Sequence, residues 1–191
     1  MRRIGITGGI GSGKSVVSRL LRIMGYSVYD TDSEAKRLME SSLEVVQKLS
    51  ECFGRDIYHN GRLNRGLLSS RVFGEPDKIV LLNSIVHPVV RFDFYRWSES
   101  LNEEICFVES AILYESRFDE LVDEVWTVTA PEELRISRVR QRSGLTEEEI
   151  KKRMAAQLSE EEKQRRAAHI IWNDGNVSVI HRVLSLLKSL E

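Results

Sequence analysis

The segment Gly8-Gly9-Ile10-Gly11-Ser12-Gly13-Lys14-Ser15 limits what this chain can become more than any other stretch of it. It matches G-x-x-x-x-G-K-[ST], and its flanks supply what that pattern needs. Arg2–Thr7 reads as a short buried strand. Ser15–Met24 reads as a helix with Val16, Val17, Leu20, Leu21 and Met24 on one apolar stripe, and Gly25 stops it. Strand, glycine-rich turn and helix in that order make a cradle for a phosphate group. Backbone N–H groups must converge on the anion, and a chain curled that tightly leaves little room for Cβ atoms. The positive end of the helix dipole faces the same point. Lys14 is expected to reach the β- and γ-phosphate oxygens of a nucleotide, and Ser15 Oγ to hold Mg2+. The expected cradle comprises Gly8, Gly9, Gly11, Ser12, Gly13, Lys14, Ser15 and Val16. The bland alternative is a tight glycine turn with a surface lysine, and the agreement of both flanks argues against it.

The rest of the chain reads as strands alternating with helices, which implies an α/β fold with a parallel sheet. Ser27–Tyr29, Ile105–Val108, Val125–Thr129 and Ile170–Trp172 read as strands. Ser33–Phe53 reads as helical in two pieces, Gly54–Gly61 as a loop or tight hairpin, and Glu75–Glu104 as mostly helical with a break before Pro88. Pro131–Arg142 reads as an arginine-rich helix. Thr146-Glu147-Glu148-Glu149 has the spacing of a capping box and opens a helix through Gln157. Val177–Leu190 closes the chain as a helix with Val177, Ile180, Val183, Leu184 and Leu187 on one face. Ser33–Glu104 has no strand of its own and is expected to lie outside the sheet as an insertion that grips a substrate.

Composition excludes several classes. With 191 residues, 28 Lys+Arg against 29 Asp+Glu, and 41% apolar residues, the chain is an ordinary globular one of near-zero net charge. That balance argues against general nucleic-acid binding. The longest run free of charged residues, Ile79–Val90, is too short to span a bilayer, and the N-terminus lacks the apolar run of a signal peptide. Cys52 and Cys106 make no disulfide framework, which suits a reducing, cytoplasmic setting. No obligate protein partner is evident.

A phosphate cradle fixes the donor and leaves the reaction open. There is no N-K-x-D motif, which disfavours a GTPase. A small kinase needs an acid near the acceptor, arginines on a lid and an acceptor pocket. Asp30-Thr31-Asp32 follows the second strand, where a carboxylate can take a hydroxyl proton or hold a metal-bound water; an N-cap from Asp32 or Ser33 is the structural alternative. Arg135, Arg138 and Arg142 share a helix face, and Arg153 and Gln157 share a face of the next helix, with Ser143-Gly144-Leu145 as a hinge. Residues 135–166 carry ten Lys/Arg against six Asp/Glu. Guanidinium groups there would stabilise a phosphoryl group in flight; a solvated face paired to glutamates is the alternative. Glu109 and Glu115 flank the segment after the third strand, where Glu109 could organise the Mg2+ shell, or the segment could be a plugged loop. His87, beside Pro88, reads more readily as structural than as a ligand.

Taken as a series, Thr7–Ser15, Val28-Tyr29-Asp30-Thr31-Asp32, Gly61-Arg62-Leu63-Asn64-Arg65, His87-Pro88, Leu113-Tyr114-Glu115, Arg138, Arg142-Ser143-Gly144-Leu145, Arg153, Gln157 and Asn173-Asp174-Gly175 resemble the dephospho-CoA kinase family over nearly the whole chain. The resemblance implies a parallel-sheet P-loop NTPase core (1–32, 105–134 and 169–191), a helical acceptor-binding region (33–104) and a helical lid (135–168). It implies transfer of the ATP γ-phosphate to the 3′-hydroxyl of dephospho-CoA, with ATP and Mg2+ required and no nucleic acid or membrane involved. By position, Asp32 is similar to the family's catalytic base, Arg138 and Arg142 to its lid arginines, and Arg65, His87 and Glu115 to its acceptor side. Ser15 would hold Mg2+, with Asp32 or Glu109 contributing through water. The chain departs from the family pattern at Val16, Asn64, Glu109, Ala111 and His169. A kinase of another nucleotide or nucleoside, or a nucleotide-binding module without turnover, are the competing functions.

Overall fold

The computed structural model describes residues 1–190. In chain order the elements are β1 (Arg2–Thr7), α1 (Lys14–Ile23), β2 (Ser27–Asp30), α2 (Thr31–Ser41), α3 (Leu43–Phe53), a 3-10 turn (Arg55–Ile57), β3 (Tyr58–His59), β4 (Arg62–Leu63), α4 (Arg65–Val72) and α5 (Pro76–Ser100). They continue with β5 (Ile105–Glu109), a second 3-10 turn (Phe118–Leu121), β6 (Glu124–Thr129), α6 (Glu132–Ser143), α7 (Glu147–Ala155), α8 (Glu160–Arg166), β7 (His169–Trp172) and α9 (Val179–Lys188). Two compact units result. One comprises Met1–Tyr29 and the chain from Leu101 onward, and the other Asp30–Ser100. The segment expected to form a lid, residues 135–168, belongs to the first unit.

The first unit is built on a sheet of order β2-β5-β1-β6-β7, in which β1 pairs in parallel with β5 and β6, and β6 with β7. The α/β class expected from the alternation is therefore present. Its core gathers Ile4 and Ile6 of β1, Val17 and Leu21 of α1, Phe107, Trp126 and Val128 of the neighbouring strands, and Val183, Leu186 and Leu187 of α9. Phe107 and Trp126 meet edge to face at 5.5 Å, a geometry that suits the ring quadrupoles. The face of α9 differs from the expected one. Val177, Ile180 and Leu184 are exposed, and Val179, Val183, Leu186, Leu187 and Leu190 face the core. Two apolar stripes compete on this helix. Ser178, whose hydroxyl accepts from His181 N–H, fixes where it begins, so Val177 lies before the helix.

The second unit packs α2, α3, α4 and α5 around Leu38, Val45, Leu49, Phe53, Leu68, Val86, Val90 and Phe94. The loop expected at 54–61 holds the 3-10 turn and the start of a β3–β4 hairpin, with Tyr58 opposite Leu63 and His59 opposite Arg62. Pro88 does not break α5. The helix runs through it from Pro76 to Ser100. A proline inside a helix removes one N–H and crowds the carbonyl four residues back, here that of the exposed Ser84. Burial of Ile85, Val86, Val90 and Phe94 on either side offsets that cost. Helix α4 was not legible as a helix; Asn64 caps it by accepting from Leu67 N–H at 3.0 Å.

Phe94 is fully buried at the centre of this unit. Phe94→Ala should destabilise it by about 3–5 kcal/mol through lost transfer energy and the residual cavity. Denaturant unfolding followed by circular dichroism reads this directly; a loss below about 1 kcal/mol would mean that the four helices are held by something other than this core.

Candidate active site

The cradle is built by β1, which delivers Gly8, and α1, which starts at Lys14. Gly8 has φ 145°, and a Cβ there would collide with the main-chain oxygen of Val128 on β6, so only glycine fits this close approach. Gly11 has φ 81° and lies against the backbone of Arg135. Lys14 Nζ donates to Gly8 O at 2.7 Å and Gly9 O at 3.3 Å, tying the curl together from inside. The N-cap of α1 is Gly13, with no side-chain cap, so the first-turn N–H groups are not taken by a capping side chain. Ser15 and Val16 stand exposed in that first turn. Three buried hydroxyls in this region, Thr7 Oγ1, Ser12 Oγ and Ser110 Oγ, have no hydrogen-bond partner among the described residues. Thr7 ends β1, Ser110 follows β5 and Ser12 lies in the loop between β1 and α1; a bound phosphate there would supply acceptors for such hydroxyls.

Segments α6 to α8 fold over this loop. Asn173, just past β7, donates from Nδ2 to Ser12 O at 2.9 Å. Ile10 N–H donates to Gln157 Oε1 at 3.1 Å. Ile10 also packs against a small core of Ile136, Val139, Ile150 and Met154. Arg135, Arg138 and Arg142 all lie on α6, as their spacing implied, but they differ in burial. Arg135 is buried and paired with Glu160 at 3.4 Å, Arg138 is half-buried with Nη1 lacking a partner, and Arg142 is exposed. The sheet side of α6 takes Arg135 because Glu160 waits there, itself accepting from Thr129 Oγ1 at 3.0 Å. Arg153 and Gln157 do not share a helix either. Helix α7 ends at Ala155, so Gln157 sits in the turn before α8. A cavity of about 430 Å3 opens between these helices, lined by Arg135, Met154, Gln157, Leu158 and Glu160 among others.

Helix α8 and its lysine were missed. Ser159-Glu160-Glu161-Glu162 carries the S-x-x-E start signal, and Ser159 Oγ accepts from Glu162 N–H at 3.2 Å. Lys163 on that helix is completely buried. Its Nζ donates to Ala111 O at 3.0 Å and faces Glu115 at 3.8 Å. Burial pushes its pKa down, with Glu115 and Glu160 opposing. Glu115, expected on the acceptor side, accepts from Leu158 N–H at 2.6 Å. It ties the turn before α8 to the segment after β5. Glu109 ends β5, half-buried.

The remaining expected residues lie in the second unit. Asp30, not Asp32 or Ser33, caps α2: its carboxylate accepts from Asp32 N–H at 3.0 Å and Ser33 N–H at 3.2 Å. The Asp32 carboxylate is exposed and has no partner among the described residues. Arg65 Nη2 donates to Glu40 Oε1 at 3.2 Å across a half-exposed surface. His87 is half-buried on α5, where burial lowers its pKa and the Arg91 charge lowers it further.

The profile of the dephospho-CoA kinase family matches residues 2–178. The chain belongs to the dephospho-CoA kinase family. The dephospho-CoA kinase of Porphyromonas gingivalis is 40% identical over 191 residues, spanning 100% of this chain and 95% of the relative. A crystal structure from Thermus thermophilus superposes with a TM-score of 0.86 at 37% identity, covering 99% of this chain and 97% of that one. The dephospho-CoA kinase from Campylobacter jejuni has the same fold, with a TM-score of 0.74 at 23% identity over 100% and 98% of the two chains. The chain is thus an ATP-dependent kinase of the last step of coenzyme A synthesis.

The depressed pKa of His87 has a pH consequence with a definite sign. The neutral ring is favoured in the folded state, so the unfolded chain takes up a proton first. Stability is then lost as pH falls through the ordinary histidine value of 6.5. His87→Asn should flatten the fall in unfolding free energy between about pH 7.5 and 5.5. Parallel losses in wild type and variant would show that burial of this ring does not resist protonation.

Proposed function

We propose that the first unit binds ATP in the cradle, that the Asp30–Ser100 unit holds dephospho-CoA, and that residues 135–168 act as the lid. Asp32 is the general base, Lys14, Arg138 and Arg142 stabilise charge, and Arg65 and His87 serve the acceptor. The observation that carries this reading is the division of labour at α2. Asp30 takes the capping bonds, which leaves the neighbouring Asp32 carboxylate uncommitted. A carboxylate that is not needed for the fold can accept the 3′-hydroxyl proton as the acceptor oxygen approaches phosphorus in line with the leaving oxygen. Lys14 swings from the loop carbonyls to the phosphates, and Gly8, Gly9, Gly11, Ser12 and Gly13 present backbone N–H groups to them. Val16 flanks the nucleotide from α1. Glu115 serves the acceptor indirectly, by anchoring the turn before α8.

The donor set around the cradle suits Mg2+. Ser15 offers an exposed hydroxyl and Glu109 a carboxylate through water, and the family resemblance adds the Asp32 carboxylate as a further candidate. Mg2+ typically keeps several waters and takes few protein ligands beside substrate phosphates. When bound, it would neutralise charge on the β- and γ-oxygens. The two unpaired cysteines support a cytoplasmic setting.

Initial rates of ADP release test this reading, with dephospho-CoA, AMP, CMP and adenosine as acceptors. Dephospho-CoA should be far the best, and Arg65→Ala should raise its KM while leaving ATP affinity nearly unchanged. A preference for AMP or CMP would return the chain to the nucleotide kinases. Asp32→Asn should lower kcat by about 10²–10⁴-fold with the melting temperature kept, because the cap belongs to Asp30. Full activity in that variant would remove Asp32 from the chemistry.

A further inference from the structure

We propose that Gln157 is a catalytic residue: its side-chain Nε2 donates a hydrogen bond to the phosphoryl group during transfer, and its Oε1 is held in place by the cradle. Three observations meet here. The backbone around Gln157 is pinned on both sides, by Gln157 N–H to Met154 O at 3.0 Å and Leu158 N–H to Glu115 Oε1 at 2.6 Å. The side chain then reaches back 147 positions to accept from Ile10 N–H at 3.1 Å. Ile10 is the third residue of the eight-residue cradle, between Gly9 and Gly11. An N–H can meet only the oxygen of the amide, so the NH2 end is the one left over. It has no partner among the described residues, and the residue lines the 430 Å3 cavity beside the loop.

The neighbours explain why this neutral donor is useful. Arg135, the charged group beside it, is engaged by Glu160 at 3.4 Å, and Glu160 is engaged by Thr129. That pair largely cancels itself. Gln157 is thus a fixed dipole in a partly desolvated place, oriented before the nucleotide arrives. Donors oriented in advance toward developing charge lower the barrier without reorganising at the moment of reaction. The amide gains and loses no proton. An ordinary lid latch, in which Gln157 only holds the turn against Ile10, would use the oxygen and leave the NH2 idle.

Two near-isosteric variants separate these roles. Gln157→Glu keeps the oxygen that accepts from Ile10 and replaces the NH2 with a second oxygen. Gln157→Met keeps the volume and removes both. We expect kcat for ADP release with ATP and dephospho-CoA to fall by about 10–10³-fold in both, more in Gln157→Glu because a carboxylate repels the phosphoryl oxygens. The KM for ATP and the Kd for ADP, read by calorimetry, should move less than kcat. Wild-type kcat in Gln157→Glu, with or without loss in Gln157→Met, would overturn the proposal in favour of a latch. A loss confined to Gln157→Glu would also overturn it, as an effect of the added charge. So would a loss that appears in KM alone. The proposal rests on the cradle being the donor site, and Lys14→Ala in the same assay tests that separately: retained turnover there overturns the cradle, whatever Gln157 does.

Discussion

The close approach of the cradle backbone to its neighbours is the constraint on which the first unit depends, and inside the loop Lys14 Nζ donates to the carbonyl oxygens of Gly8 and Gly9. The curl is held as well by Ser12 N–H donating to Gly9 O at 3.1 Å and by Ile10 on its small core. Everything around it then follows from close approach. Gly8 presses on Val128 O, Gly11 on the backbone of Arg135, and Asn173 reaches Ser12 O. The strands β1, β6 and β7 are thereby indexed to one loop, and the hydroxyls of Thr7 at the end of β1, Ser12 in the loop and Ser110 just after β5 have no hydrogen-bond partner among the described residues. Buried hydroxyls without partners are costly.

A second constraint is the buried ammonium of Lys163. An isolated charge in a protein interior is expensive, and its burial is tolerable only with good partners. Ala111 O and Glu115 provide them, and Glu115 simultaneously holds Leu158 N–H. One side chain therefore couples α8, the turn that carries Gln157, and the segment after β5. Displacing α8 would take this ammonium away from both partners.

The parts of this architecture that were legible in the sequence are those set by local rules. The cradle, the flanking strand and helix, the capping box at Thr146 and the parallel strands all follow from short-range spacing. What was not legible depends on tertiary partners. Arg135 looks like a surface cation until Glu160 and the sheet are placed beside it. The burying face of α9 is decided by what the sheet offers, and not by periodicity alone. Pro88 reads as a helix stop, yet α5 continues because its buried neighbours outweigh one lost hydrogen bond. For α4 and α8 the start signals Asn64 and Ser159 were present but short, since each helix has fewer than nine residues. The capping role at α2 fell to Asp30, one position before the helix, which a pattern of acids at 30 and 32 could not distinguish.

The cationic character of residues 135–166 resolves once pairing is considered. Arg135 is matched by Glu160, Lys163 by Glu115, Lys151 by Glu147, and both Arg165 and Arg166 by Glu162, whose pKa falls to about 2 from those hydrogen bonds. The surface pairs among these contribute little to stability. Each offsets the field of its own cation, while the segment keeps more Lys/Arg than Asp/Glu. Arg138 and Arg142 are different, because no salt bridge engages either one among the described residues, and Arg138 Nη1 is buried without a hydrogen-bond acceptor. A guanidinium held partly out of water and unmatched gains more from a passing phosphate than one already paired. What singles out Arg138 is a buried nitrogen without an acceptor, a property that only the folded chain reveals.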